Sequence, residues 1–148
     1  MGTSRDVLFL FMCVFNPLNA ELVSAQTCGT GGIVTSAKGD DGKVISVSID
    51  GSEMWRTPIW VIDRSDPPLS VKRAAQIASA WAARKYPTKT TEVDSIMLRS
   101  LPCTDGSDRW YYFFYFYSVS EKRRTHELGN WLVVLMDGSV IEPRFDAS

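Results

Sequence analysis

The sequence is poor in the side chains that carry out catalysis and bind metals. Among 148 residues there are one histidine and three cysteines. His126 lies in a charged segment, and no cysteine or second histidine is spaced from it as a zinc partner would be. A Gly-x-Ser-x-Gly motif, which would expose a serine nucleophile on a strained turn, is also missing. We therefore expect a protein that is not an enzyme and has no metal or cofactor.

An excess of charge of either sign is missing too. The chain has 16 Lys and Arg against 17 Asp and Glu, which is a net charge of −1. A protein that binds nucleic acid mainly through phosphate needs a surplus of cations. The charge balance thus argues against nucleic acid as a partner.

Long apolar runs are absent as well, because the longest near the start, Val7–Phe15, has only nine residues. That length is too short to span a bilayer. Arg5 precedes the run, and the small-residue site Val23-Ser24-Ala25 follows it. This order is typical of a secretory signal peptide. We predict that residues 1–25 are a signal peptide and that the product is secreted or periplasmic, with no membrane contact after cleavage.

Cleavage of the signal peptide would leave two of the three cysteines. Cys13 would be removed, and Cys28 and Cys103 would remain. In an oxidising compartment such a pair is expected to form a disulfide. The bridge would close a loop of about 75 residues and contribute on the order of 4 kcal/mol in the chain-entropy model.

The remaining sequence predicts a flexible arm followed by one domain. Residues 26–42 are rich in Gly, Ser, Thr and Asp and are expected to be a flexible N-terminal arm, and residues 43–148 a single α+β domain. Lys43–Asp50 alternates apolar and polar residues, as in a half-buried strand. Asp50-Gly51 is a turn signal, so we expect Met54–Asp63 to return as a second strand, confined to an edge by Pro58.

A helix is predicted over Val71–Tyr86, where Gly and Pro are absent. Ser70 is a suitable N-cap, and Pro87 ends the helix. Several residues share one stripe at helical spacing and are mostly alanine: Val71, Ala74, Ala75, Ala78, Trp81 and Ala82. Such a helix can approach closely to a sheet with bulky side chains.

Aromatic residues, in contrast, are concentrated in one place: all eight positions from Trp110 to Tyr117 are aromatic. Such a run favours a strand, because aromatic side chains lose χ1 freedom in a helix. Three further strands are expected at Val93–Leu101, Asn130–Asp137 and Val140–Phe145. The predicted fold is α+β, with one alanine-rich helix packed on a curved antiparallel sheet of four to six strands.

This layout resembles that of PepSY-type domains and, more broadly, of cystatin-like folds. The resemblance covers roughly residues 69–145 and depends on Ser70–Ala78, the aromatic strand, and a closing hairpin at Val134–Pro143. A long segment before the helix and a charged insertion at Glu121–Gly129 depart from the family pattern. PepSY domains are associated with inhibitory propeptides and cell-envelope proteins. The resemblance therefore implies a non-catalytic interaction role and assigns no site residue.

The aromatic strand has two interpretations. With alternating side chains, Trp110, Tyr112, Phe114 and Phe116 share one face, and Tyr111, Phe113, Tyr115 and Tyr117 share the other. Both faces can be core, one under the helix and the other under Met54–Asp63. Alternatively, the hydroxyl-rich face with Tyr111, Tyr115 and Tyr117 is a binding surface, since tyrosine suits interfaces and sugar-stacking platforms.

A second candidate site is the basic cluster Lys122, Arg123 and Arg124 in the charged loop. It is either a solvated hairpin tip or a docking patch for an acidic partner. Three function classes follow. The first is a binding module for a protein partner or a second copy, through the sheet face or this loop. The second is a small-ligand or glycan-binding protein, and the third is a cone-shaped α+β enzyme.

Overall fold

The aromatic segment forms the central strand of the larger of two antiparallel sheets. The computed structural model describes Cys28 and residues 31–39, 42–120, 123–127 and 129–145, without the side chains of Ile33 and Ser120. The elements are β1 Gly32–Lys38, β2 Val44–Ile49, α1 Gly51–Trp55, α2 Val71–Lys85, β3 Thr90–Pro102, β4 Asp108–Ser120, β5 Arg123–Thr125, β6 Trp131–Leu135, β7 Val140–Ile141 and β8 Arg144–Phe145. The larger sheet has the order β3-β4-β6-β7 with β5 beside β4, and the smaller has the order β1-β2-β8. The α+β class is confirmed.

Helix α2 covers one face of β4, as predicted. Ser70 caps the helix by accepting a hydrogen bond from the backbone N–H of Arg73. The buried Ala74 and Ala78 pack in one cluster with Phe114 and Phe116. Small helix residues thus fill the space left between bulky strand residues, as close packing requires. Val71, which we assigned to the buried stripe, is instead 51% exposed.

The smaller sheet covers the other face of β4, and the sequence did not predict this sheet. Ile45, Val47 and Ile49 of β2 are buried in one cluster with Tyr111 and Phe113. The three apolar residues of β2 are therefore buried as predicted, and Ser48 is exposed, but Ser46 is buried as well. Our expectation that Met54–Asp63 would cover this face as a strand is wrong.

A short helix stands where the turn and the second strand were predicted. Asp50 is the N-cap of α1, and its side chain accepts a hydrogen bond from the N–H of Ser52. The Glu53 carboxylate in turn accepts one from the N–H of Asp50, which completes a capping box. After α1 the chain has no strand up to residue 70. Trp60 donates to the Ser65 carbonyl and packs edge-on against Trp110 on the helix side of β4.

The N-terminal part of the described chain is not a loose arm. Gly32–Lys38 pairs antiparallel with β2 along its whole length. Cys28 and Cys103 form the predicted disulfide. The predicted signal peptide lies outside the described residues. Within the part of the chain that the structure describes, no helix is long and apolar enough to cross a membrane.

The last predicted strand is divided between the two sheets. β7 pairs with β6 in the larger sheet, whereas β8 pairs with β2 in the smaller one. Pro143 lies between them and interrupts the strand, because proline has no N–H to donate to a ladder. Residues 140–145 therefore connect the larger sheet to the smaller one, with the core around Phe113 between the two sheets.

Candidate functional site

The smaller sheet covers only part of the tyrosine face of β4. Tyr111 is buried, whereas Tyr115 and Tyr117 are half-buried. The prediction of Tyr111 as a binding residue is therefore wrong. Its ring belongs to the core between the sheets, and burial raises the pKa of its hydroxyl despite the opposing charge of Arg99.

A cavity of about 330 Å³ opens beside the uncovered end of β4. Its walls come from three strands of the larger sheet and from the segment before β6. The lining residues are Asp94, Ser95, Tyr115, Phe116, His126, Glu127, Asn130 and Trp131.

Aromatic rings form the inner wall of this cavity. Tyr115 on β4 lies opposite Trp131 on β6 in the strand register. The two rings meet edge to face, with their centroids 6.4 Å apart. Both strands are held in the core, since Leu132 and Val133 next to Trp131 are fully buried. The wall is thus built on rigid elements rather than on a loop.

Two neighbouring residues of the cavity each have a buried polar atom that lacks a partner. Trp131 is 8% exposed, and Asn130 is 3% exposed. Neither the indole Nε1 of Trp131 nor the Oδ1 of Asn130 has a hydrogen-bond partner among the described residues. The amide Nδ2 of Asn130 donates to the Ser118 hydroxyl at 3.1 Å. Further atoms of this kind belong to Trp81 and Arg109, which do not line the cavity.

The rim of the cavity is polar. Asp94 lies where the β3–β4 register shifts, between Val93 and Ser95. The hydroxyl of Tyr117 hydrogen-bonds to the Asp94 carboxylate, and this bond raises the pKa of Tyr117. His126 was predicted to be a solvated loop residue. It is exposed, but its ring packs on Tyr117 with 4.4 Å between centroids.

One of the two carboxylates that line the cavity, that of Glu127, has a lowered pKa. Glu127 accepts a hydrogen bond from Lys89, and this contact lowers the pKa of Glu127 below its ordinary value. A general acid needs the opposite shift, towards neutral pH. Glu127 therefore suits ligand binding or charge pairing better than proton donation.

The basic cluster is partly engaged within the chain. Arg123–Thr125 forms the short strand β5 beside β4, where we had predicted a loop. Arg124 forms an ion pair with Glu92 at 2.8 Å, and its guanidinium lies 5.4 Å from the centre of the Tyr117 ring. Arg123 is exposed, and Lys122 lies outside the described residues. Both arginines are exposed, and of the two only Arg124 forms an ion pair with a described residue.

Sequence reasoning identified Tyr115 and Tyr117 but missed Asp94, Asn130 and Trp131. The available signal was the predicted pairing of the aromatic strand with Asn130–Asp137, which could have placed a tryptophan opposite a tyrosine. Within the described ranges, no group of three or more His, Cys, Asp or Glu could hold a metal ion. No protein-family model, curated protein or solved structure matches the chain.

Proposed function

We propose that this protein is a non-catalytic carbohydrate-binding protein of the secretory or cell-envelope compartment. The site is the cavity beside Tyr115 and Trp131. The observation that carries the proposal is the indole Nε1 of Trp131, a buried donor in a residue that lines an aromatic cavity, which has no hydrogen-bond partner among the described residues.

A ligand hydroxyl group matches the unpartnered indole N–H of Trp131. The indole N–H can only donate a hydrogen bond, and a hydroxyl oxygen can accept one. A buried polar group without a partner costs roughly 1–3 kcal/mol. A ligand hydroxyl that reaches the indole N–H of Trp131 from the cavity would remove this cost. Sugars present such hydroxyls next to apolar C–H faces.

The aromatic wall matches the apolar part of a sugar. Tyrosine and tryptophan combine a large apolar ring with a polar group, which suits a ligand that has an apolar face and polar groups at its edge. The half-buried ring of Tyr115 offers the cavity such a surface. Asp94 and His126 at the rim add further hydrogen-bonding groups. An apolar cavity with a few polar groups is the usual composition of small-ligand sites, and about 330 Å³ lies within their size range.

The disulfide supports the proposed compartment. Cys28 and Cys103 are bonded in the structure. Disulfides form and persist in secreted and periplasmic proteins and are rare in the cytosol. The oxidised pair is therefore compatible with a protein that meets extracellular or cell-wall glycans.

The test is calorimetric titration of the purified protein with a panel of neutral oligosaccharides of different linkage. We expect saturable binding of at least one of them. Trp131→Phe keeps an aromatic ring but removes the N–H, so it should weaken binding about tenfold or more, as the loss of one buried hydrogen bond implies. The matched control is Trp110→Phe, because Trp110 lies on β4, the strand next to β6, but packs in the cluster on the helix side of the sheet.

Wild-type affinity in Trp110→Phe together with reduced affinity in Trp131→Phe would support the site. If no oligosaccharide of the panel binds, or if Trp131→Phe binds as well as the wild type, the proposed function is wrong.

A further inference from the structure

Strand β3 is an open edge of the larger sheet. It pairs with β4 on one side, and no other described strand pairs with it. None of its 13 residues is buried. Edge strands are normally short, covered, or interrupted by charges, bulges or proline, because their free N–H and C=O groups can pair with another chain.

We propose that β3 pairs with β3 of a second copy of this chain, antiparallel and about a two-fold axis at Met97. The larger sheets of the two copies would then form one continuous sheet. Two features of β3, its charges and its exposed apolar side chains, favour a second copy over an unrelated strand.

The charges of β3 are placed so that two copies of the strand attract each other when they pair antiparallel. Glu92 and Asp94 lie in the first half of the strand, and Arg99 lies in the second half. A strand that pairs antiparallel with its own copy brings its first half opposite the second half of the partner. Each Arg99 would therefore approach the acidic half of the other copy, whereas a parallel pairing would place like charges side by side, which is destabilising.

The exposed apolar side chains set the register. Ile96 and Leu98 are 37% and 39% exposed. They lie opposite Phe114 and Tyr112 of β4, on the helix side of the sheet. With the axis at Met97, Ile96 of each copy lies opposite Leu98 of the other. Facing residues in an antiparallel pair have Cβ atoms only about 4.5–5.5 Å apart, so both apolar pairs would lose contact with water.

The ends of the regular stretch agree with this register. The β3–β4 ladder is irregular between Val93 and Ser95, and Pro102 ends the strand. A bulge and a proline both stop regular pairing. The stretch from Ser95 to Leu101 is therefore the part of the edge that can form a ladder, and with the axis at Met97 its residues Ser95 to Arg99 would pair with the same residues of the second copy.

The first test is the mass of the protein by sedimentation velocity, from low to high micromolar concentration. We expect the mass to double as concentration rises. Ile96→Lys together with Leu98→Lys should keep the monomer mass throughout, because lysines on an edge strand oppose pairing. The matched control, Ile59→Lys with Val61→Lys, changes two exposed apolar residues outside β3 and should dimerise as the wild type does.

The second test is cysteine cross-linking, and it does not depend on the lysine variant folding. Met97→Cys should form a disulfide-linked dimer on mild oxidation. Ser100→Cys should not, because it lies three residues from the axis and thus about 20 Å from its counterpart at ~3.3 Å per residue. A monomer mass at every concentration, a dimer that persists in the folded lysine variant, or equal cross-linking of the two cysteine variants would each overturn the proposal.

Discussion

Tyr115 lies directly opposite Trp131 across the β4–β6 ladder, and their rings meet edge to face with centroids 6.4 Å apart. This pair connects the core to the candidate site. Both strands are held by buried neighbours such as Leu132 and Phe114, so the rings are fixed before any ligand arrives. A preformed site loses less conformational entropy when it binds.

The helix face can be tested with Ala78→Leu. Ala78 is fully buried against the aromatic strand, and added methylenes in a packed core cost roughly 1–3 kcal/mol. Ser79→Leu is the matched control, because Ser79 is exposed on the same helix. In urea unfolding, Ala78→Leu should lower the free energy of unfolding and Ser79→Leu should leave it nearly unchanged. Equal effects would mean that the helix packs on the sheet through another face.

The two faces of β4 should respond differently to truncation. Phe114 is fully buried, so Phe114→Ala should cost roughly 3–5 kcal/mol, a large part of a typical total of about 5–15. Tyr117 is half-buried beside the lining residues His126 and Asp94, so Tyr117→Ala should cost less stability than Phe114→Ala. Urea unfolding monitored by circular dichroism measures both. A Tyr117→Ala variant as unstable as Phe114→Ala would show that the rim is part of the core.

Removal of the disulfide should destabilise the domain. Cys28 and Cys103 are 75 residues apart, for which the chain-entropy model gives about 4 kcal/mol. Changing both to serine should therefore lower the free energy of unfolding by roughly 2–4 kcal/mol. The mass of the intact wild-type protein, alkylated without reductant, shows whether its two cysteines are bonded before the comparison is made. Two alkylated thiols in the wild-type protein purified without reductant would contradict the bond itself.

Stability should decrease in acid. Hydrogen bonds lower the pKa values of Asp50 and Asp105 below 3.8 and that of Glu127 below 4.5. A carboxylate with a lowered folded-state pKa stabilises the fold above its unfolded-state pKa, and this contribution is lost as the pH falls through the folded-state value. The melting temperature should thus fall as the pH is lowered from about 5 towards 3.

Glu127→Gln provides the control for this pH effect. The amide does not titrate, so the variant should lose part of the acid-dependent decrease while the contributions of Asp50 and Asp105 remain. A melting temperature that rises below pH 4 would contradict the direction of these shifts.

Local signals in the sequence predicted much of the larger sheet and its helix. The N-cap Ser70, the alanine spacing and Pro87 define α2 within one segment, and the eight aromatics define β4. The smaller sheet is mainly the local β1–β2 hairpin, whose first strand lies in a segment where the Gly, Ser and Thr content predicts a flexible arm. Its third strand, Arg144–Phe145, pairs with Val44–Ile49, nearly one hundred residues away, and no local pattern reports such a pairing. The hairpin turn predicted at Asp50-Gly51 is wrong for a different reason. Asp-Gly is a strong turn signal, but Glu53, three residues after Asp50, completes a capping box, so Asp50 begins helix α1 instead.

The candidate site was only partly predictable for a similar reason. Tyr115 and Tyr117 stand out as tyrosines on a strand. Trp131 joins them only through the β4–β6 register, and Asp94 only through an irregularity in β3. The unpartnered atoms of Trp131 and Asn130 are properties of burial, which depends on the packed fold.

The most direct test of the account is the indole N–H signal of Trp131 in a proton–nitrogen correlation spectrum, assigned by its loss in Trp131→Phe. On titration with an oligosaccharide that binds, this signal should shift in a saturable way, because the N–H gains an acceptor. The indole signal of Trp60, which already donates to the Ser65 carbonyl, should stay in place. If the Trp131 signal does not move when the sugar binds, or moves no more than that of Trp60, the cavity is not the site.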